Sequence, residues 1–471
     1  MRPLLLVVSL LVLGGAALLL SRCSKGPDAP PAPKIRNVVL ISIDTLRPDR
    51  LGLHGYDRAV SPHLDAFGEA GVVFEECVAQ APWTAPSHAS MLTSLYPSAL
   101  NIGKFSDPGK VSPAARMLAE VFQEAGYQTC AVTGGGFVSR ELGFDQGFEE
   151  FRTFQKMHLN VDHALKWLDR RDPQKPFFLF LHTYEVHHYA PPEEFAAEFV
   201  RPYDGPIADG RNVAKFVQNY QNRDQIAALT EADWRYVSDL YDACLASTDA
   251  AMGTFFAALK ERGAYDETLF VLTSDHGEEF GERGYSGHGY TLYDENVLVP
   301  LVFHHGSLAP QRIDQQARVL DVAPTIAALA GLEAPVEYEG ISLLEVIGGA
   351  TANLVGYSEN AHSPVKSVRT KSRKYIVSTK EPNRELYDLD ADPEERTNLA
   401  GEEIAPEERR MRDGMVSWIE KNLRVRSSRA AQSTEMSPEM LAELEALGYI
   451  GGSGGTPAVD GADWLKLLKS E

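Results

Sequence analysis

Three short apolar runs constrain this chain more than anything else in it: residues 35–43 (IRNVVLISI), 177–182 (FFLFLH) and 268–274 (TLFVLTS). Each is too short for a buried helix and is rich in β-branched or aromatic residues. Such runs read as strands covered on both faces, the situation of a parallel sheet. The first run ends in Asp44, with turn chemistry at Arg47-Pro48-Asp49. The last delivers Asp275 and His276. In an open α/β sheet the carboxyl edge of the strands is where ligands bind.

Helical segments separate these strands. Ser61-Pro62 starts a helix that Gly71 ends, and Ser112-Pro113 starts another, expected to run to Ala125 with Gly126 as terminator. A strand follows at 128–133, then a helix at 161–170, a long helix at 231–262, a strand at 297–303 and a helix at 322–331. Strands alternating with helices of this length imply an α/β fold with a large, mostly parallel, doubly wound sheet flanked by helices, here over residues 35–334. Past that point the segments shorten. Residues 367–378 and 385–389 read as antiparallel strands, which places a small antiparallel α+β subdomain at 335–425. Residues 426–471 read as a tail with one amphipathic helix and a mobile glycine-rich stretch. There is no internal repeat.

Charge excludes one large class of function. Asp and Glu number 66 against 45 Lys and Arg, a net charge of −21, which argues against a nucleic-acid partner. The basic clusters at 369–374 and 424–429 read as solvated surface. Four cysteines show no short paired spacing, and Cys77, Cys130 and Cys244 read as small buried hydrophobes. Residues 4–20 form a stretch of 17 apolar or small residues, close to the ~20 that span a bilayer. Residues 1–25 are therefore expected to act as an export signal or membrane anchor, with residues 26–34 as a proline-rich tether and the remainder membrane-anchored or periplasmic. Arg22 before Cys23 stands where a lipoprotein pattern wants a small residue. Oligomeric state has no signature in the sequence.

The chemistry centres on residues 83–94, WTAPSHASMLTS. Ala85-Pro86 fits the first turn of a helix running to about Thr93, because proline there lacks only an amide that has no intrahelical acceptor. The positive end of that helix faces Thr84 and any anion held beside it.

The stretch TAPSHASMLTS resembles the signature of the sulfatase family, in the alkaline-phosphatase superfamily. The opening DTLRPDRLG, the SDHG at 274–277 and the closing RELYDLDADPEERTNLA resemble further family motifs. The resemblance runs from Asn37 to Ala400 and implies an alkaline-phosphatase-like fold, an anionic ester substrate and a divalent metal. Two positions depart from the signature. Thr84 stands where the family has a Cys or Ser oxidised to formylglycine, and His88 where it has an arginine that steadies the nucleophile. Threonine is the unmodified nucleophile in related phosphodiesterases and phosphoethanolamine transferases.

The resemblance makes Asp44, Asp275 and His276 the candidate metal ligands, with Thr84 as a further one. Thr45 replaces the second acidic residue of the family's pair, and His276 replaces an asparagine. Among calcium, zinc and manganese, these changes favour zinc or manganese over calcium alone. His187, with its neighbour His188 as the alternative, resembles the family histidine that gives the leaving alcohol its proton. His288 matches the lysine that contacts the ester. The family's lysine and histidine after the third strand are missing, since that stretch reads TGGGFVS. Its glycines are suited either to bringing amides close to substrate or to a flexible turn. The expected function is metal-dependent hydrolysis of sulfate or phosphate esters through Thr84, with a phosphodiesterase or phosphoethanolamine-type transferase as the alternative. A non-catalytic binding protein that has kept the fold is the reading from another class.

Overall fold

The first apolar run forms strand β1 (Asn37–Ile43), every residue of which is buried in the computed structural model. The structure describes residues 34–471 apart from 104–106, 209–211, 220–221, 381, 432–435, 447–458 and 471. The expected signal or anchor, Cys23, nearly all of the tether and the glycine-rich stretch thus lie outside the described residues. No helix among the described residues is long and apolar enough to cross a membrane.

Strands β2 (Val72–Val78), β3 (Gln128–Thr133), β4 (Glu150–Thr153), β5 (Phe177–Thr183) and β6 (Thr268–Thr273) join β1 in one large sheet. A short hairpin follows, β7 (Glu279–Phe280) with β8 (Ser286–Gly287). The large sheet is completed by β9 (Leu298–His304), β10 (Gln311–Ile313) and β11 (Ala317–Arg318). Its nine strands run in the order β10-β2-β9-β6-β1-β5-β3-β4, with β11 beside β2. β1 is parallel to both neighbours, and Ser42 is in register with His182 on β5 and Thr273 on β6. β9 alone runs antiparallel to its neighbours β6 and β2.

The two-residue period of β1 separates two cores. Val38 and Leu40 pack with Ala89, Met91 and Leu92 of the helix Thr84–Thr93. Val39, Ile41 and Ile43 pack on the other face with Val237, Leu245 and Phe255 of the long helix Glu231–Glu261. Each such aliphatic side chain stabilises the fold by about 1.5–3 kcal/mol. Residues Pro33–Glu471 form one compact unit.

The C-terminal sheet is antiparallel: β12 (Gly356–Asn360), β13 (Val365–Arg369), β14 (Arg373–Ser378) and β15 (Arg384–Asp388), in that order. Residues 367–378 are therefore a hairpin, closed by Thr370 N donating to Arg373 O at 2.8 Å. The helix Pro406–Arg429 covers this sheet, with Met415, Trp418 and Ile419 against Val368, Tyr375 and Val377.

Several expectations are corrected. The basic cluster at 369–374 is not all solvated surface, because β13 and β14 face a group of carboxylates. Arg369 reaches Asp294 at 2.9 Å and Glu76 at 2.8 Å, and buried Lys374 reaches Asp294 at 2.7 Å and Glu395 at 2.9 Å. The helix expected from residue 112 is confined to Leu118–Glu124, since Glu120 accepts the Met117 amide at 2.8 Å and caps it there. β2 escaped the sequence reading because Glu75 and Glu76 interrupt its apolar pattern at a bulge. The tail holds the helix Pro438–Ala446 and then a second, Gly461–Ser470, docked through Trp464 and Leu468 one turn apart.

Candidate active site

β1 and β6 end side by side at the carboxyl edge. One donor atom from each of Asp44, Asp275 and His276 lies within 4.8 Å of the other two. The helix Thr84–Thr93 opens at the same place, its first residue preceded by extended Trp83. Thr84 Oγ1 donates to Asp44 Oδ2 at 3.2 Å and sits 3.4 Å from His276 Nε2. Ser87 Oγ donates to Asp275 O at 2.6 Å and ties the helix to the end of β6. All of these residues are fully buried.

Hydrogen bonds at the rim decide which atoms face the centre. His276 Nδ1 donates to Gly277 O at 2.9 Å, so the Nε2 lone pair is left toward Thr84. Asp44 Oδ1 and Asp275 Oδ2 are buried and receive no hydrogen bond among the described residues. Two carboxylates and an imidazole lone pair brought together in this way match the donor set of a divalent cation. Burial, reinforced by Asp275, pushes the Asp44 carboxyl well above its ordinary range. Burial also opposes ionisation of Asp275, but His276 and His88 outweigh it and hold that carboxyl well below the ordinary range. Burial lowers His276 to about 3, so its ring is neutral. Thr45 offers nothing to the centre: it has φ 60° and its hydroxyl donates to Asp44 O at 2.7 Å.

His88 meets the Thr84 carbonyl. Its Nδ1 donates there at 3.1 Å and lies 3.2 Å from Asp275 Oδ2, while Nε2 is 3.0 Å from Ser42 Oγ. His288 Nδ1 is 3.1 Å from Glu278 Oε1, and its ring lies 4.3 Å from that of His276 and 5.1 Å from that of His187. His187 is fully buried on the single turn Val186–His188, whereas His188 is only half-buried. Burial, then His288, hold His187 well below the ordinary histidine value, and burial lowers His188 to about 4.

Four further residues enter the site that the sequence reading did not single out. His182 is the next-to-last residue of β5, and its Nε2 is 3.7 Å from Asp44 Oδ2. Tyr184 follows, its phenol beside Thr84 and raised well above its usual value by burial. Glu278 orients His288, and Gln218 Nε2 donates to Glu278 Oε1 at 3.2 Å. His182 and Tyr184 had a readable signal, since they lie at the carboxyl end of a buried strand. Gln218 had none, because residues 191–225 show no pattern.

The glycine stretch after β3 is a defined turn, with Gly135 and Gly136 at φ 78° and 54°. Its amides serve side chains. Gly134 N donates to His182 Nδ1 and Phe137 N to Tyr184 OH, each at 3.1 Å.

A sulfatase family model matches residues 36–332, and an N-sulphoglucosamine sulphohydrolase C-terminal model matches residues 281–421. The chain belongs to the sulfatase family. It is 26% identical to an arylsulfatase of Clostridium perfringens, over 78% of this chain and 90% of that one. It is 24% identical to a delta 4,5-hexuronate-2-O-sulfatase of Bacteroides thetaiotaomicron, over 81% of this chain and 87% of that one. Among solved structures, the phosphonate monoester hydrolase of Agrobacterium radiobacter shares the fold with a TM-score of 0.65 at 20% identity, covering 86% of this chain and 98% of that chain. The protein is thus a sulfatase-family hydrolase with an alkaline-phosphatase-like fold.

One carboxyl at the edge of this sulfatase site links it to pH. Burial pushes Glu279 from 4.5 to about 8, and its Oε2 accepts from Asn296 Nδ2 at 2.9 Å. A raised folded value means that the native state holds a proton the unfolded chain releases. Stability from this group is full below pH 4.5 and is lost as pH rises to about 8. Glu279→Gln is expected to flatten that part of the decline, measured by urea unfolding at several pH values. An unchanged pH slope would contradict the assignment.

Proposed function

We propose that this protein is a metal-dependent hydrolase of anionic sulfate or phosphate esters that uses Thr84 as its nucleophile. The observation that carries the reading is Thr84 Oγ1 at the start of a buried helix, within hydrogen-bonding distance of Asp44 and near His276. A threonine hydroxyl is a weak nucleophile at neutral pH and needs a base and a positive field. Asp44 Oδ2 already accepts its hydrogen bond and is the base for its proton, since the positive charge a metal would bring opposes the burial that raises Asp44.

Asp44, Asp275 and His276 are the residues that would hold the metal, with Thr84 beside them. When bound, it supplies positive charge that favours the threonine alkoxide and polarises the ester oxygens. Thr84 attacks sulfur or phosphorus in line, forms the Thr84–O ester and expels the alcohol. The helix amides and dipole favour the nonbridging oxygens. His187 gives the leaving alkoxide its proton. Burial opposes the charged ring, but an anionic substrate beside it favours protonation. His187 then takes a proton from water, water attacks the Thr84 ester, and Thr84 leaves with the proton from Asp44. His288, oriented by Glu278, contacts the ester group. His88 positions the helix start and Asp275.

Thr84 itself favours a second reading. Formylglycine releases sulfate by elimination from a geminal diol, which threonine cannot do, so a Thr84 ester must be broken by a second attack at the central atom. That suits phosphorus, and makes a phosphodiesterase or a phosphoethanolamine-type transferase the alternative. Against a binding protein without turnover stands the retention of a compatible base, donor set and histidines.

The test is a side-by-side hydrolysis assay on an aryl sulfate, an aryl phosphate monoester and an aryl phosphodiester with zinc, manganese or calcium. Phosphodiester cleavage outpacing sulfate cleavage supports the second reading, and the reverse supports the sulfatase activity. No turnover with any metal would overturn both.

A further inference from the structure

Two side chains at the end of β5 share an arrangement that the mechanism above leaves unused. His182 and Tyr184 are both fully buried, and their rings meet edge to face at 4.7 Å. Each has its acceptor atom taken by a backbone amide of the glycine turn. Gly134 N donates to His182 Nδ1 and Phe137 N donates to the Tyr184 oxygen, each at 3.1 Å. An imidazole that accepts at Nδ1 carries its proton on Nε2, and a phenol whose oxygen accepts an amide still has its own proton to give.

Those two protons are aimed at the reacting centre. His182 Nε2 donates no hydrogen bond among the described residues and lies 3.7 Å from Asp44 Oδ2. The Tyr184 phenol lies beside Thr84, whose own proton is directed at Asp44. That leaves a lone pair of the Thr84 oxygen for the phenol proton. The turn is shaped for this ring: a Cβ on Gly134 would come within 2.4 Å of Tyr184 Cδ2.

We propose that His182 and Tyr184 are a neutral donor pair, set by the Gly134–Phe137 turn, that stabilises negative charge on the transferred group as Thr84 attacks. Before attack, the phenol proton rests on a lone pair of Thr84 Oγ1. The new bond from Thr84 Oγ1 to sulfur or phosphorus consumes that lone pair as the bond to the leaving alcohol breaks, and the phenol proton swings to an adjacent nonbridging oxygen of the transferred group. His182 Nε2–H takes a second such oxygen. Neither the phenol nor the imidazole gives up its proton; the one proton transferred is that of Thr84, to Asp44. The contact to the group forms only as charge develops, so it acts on kcat more than on substrate binding. Histidine, tyrosine and turn together stand in for a charged donor at this side of the site.

The inference rests on Thr84 as nucleophile, and the test separates the two. In Tyr184→Phe and His182→Leu, kcat is expected to fall about 100-fold each with KM within about threefold, while His182→Gln, which keeps an N–H, recovers most of the loss. Orthovanadate, which takes the transition-state shape, should lose affinity in parallel, and inorganic phosphate should lose almost none. Acid-quenched mass spectrometry follows the Thr84 adduct, which should form more slowly in both variants. A wild-type protein that turns over with no Thr84 adduct would overturn the nucleophile and the pair together. An adduct that forms at the wild-type rate in Tyr184→Phe, or equal losses of vanadate and phosphate affinity, would overturn the pair alone. If Tyr184→Phe fails to fold, the vanadate comparison of His182→Gln with His182→Leu decides the matter, equal affinities overturning the pair.

Discussion

Replacing Thr84 with alanine or valine is expected to lower kcat/KM by about 10,000-fold or more, since under the proposed mechanism its covalent role would have no substitute within the site. Valine is the sharper test. It keeps the branched shape at the start of the buried helix and removes only the hydroxyl that donates to Asp44. The fold should survive both changes, because the helix is held independently by Ser87 Oγ on Asp275 O and by the Leu92 and Met91 contacts beneath β1. Hydrolysis of the preferred aryl ester and intact mass after acid quench are the measurements. Turnover within tenfold of wild type in Thr84→Val would mean that water attacks the ester directly, and Thr84 would then be only a positioning residue.

Removing divalent metal is expected to have the next largest effect. Dialysis against a chelator should lower activity about 100-fold or more, with recovery when zinc or manganese is returned. His276→Ala should lower the bound metal measured by elemental analysis, because its Nε2 keeps a lone pair directed toward Thr84. The chelated protein carries a second signature. Asp44 and Asp275 are then left buried together, and burial with Asp275 already raises Asp44. Asp44→Asn should therefore stabilise the chelated protein against urea by about 1–3 kcal/mol while abolishing turnover. Destabilisation of the chelated protein by Asp44→Asn, or full activity after chelation, would remove the metal from the mechanism.

The placement of much of the candidate site was legible because its signals are local. Asp44 and Asp275 follow uninterrupted apolar runs, and Thr84 precedes a proline suited to a first helical turn. Each of these can be read within a dozen residues. The resemblance added the ligand set and the two histidines, and the family models then matched residues 36–332 and 281–421. The misses have a common physical cause. Arg369 and Lys374 look like surface charge in the sequence, and are buried only because Glu76, Asp294 and Glu395 come to meet them from other parts of the chain. The short helix Leu118–Glu124 likewise depended on a side chain, Glu120, choosing the Met117 amide.

By itself the sequence determined the fold class, the strand ends that carry Asp44 and Asp275, and the helix that presents Thr84. Apolar period and turn chemistry act over a few residues, so they are written in order along the chain. The tertiary structure alone decided what those residues face. The amide that orients His182 comes from Gly134, 48 residues away, and the amide that meets His288 comes from Gln218, 70 residues away. A proton's position on an imidazole depends on its partner across such a gap, and that partner is chosen only when the sheet closes and brings the loops together.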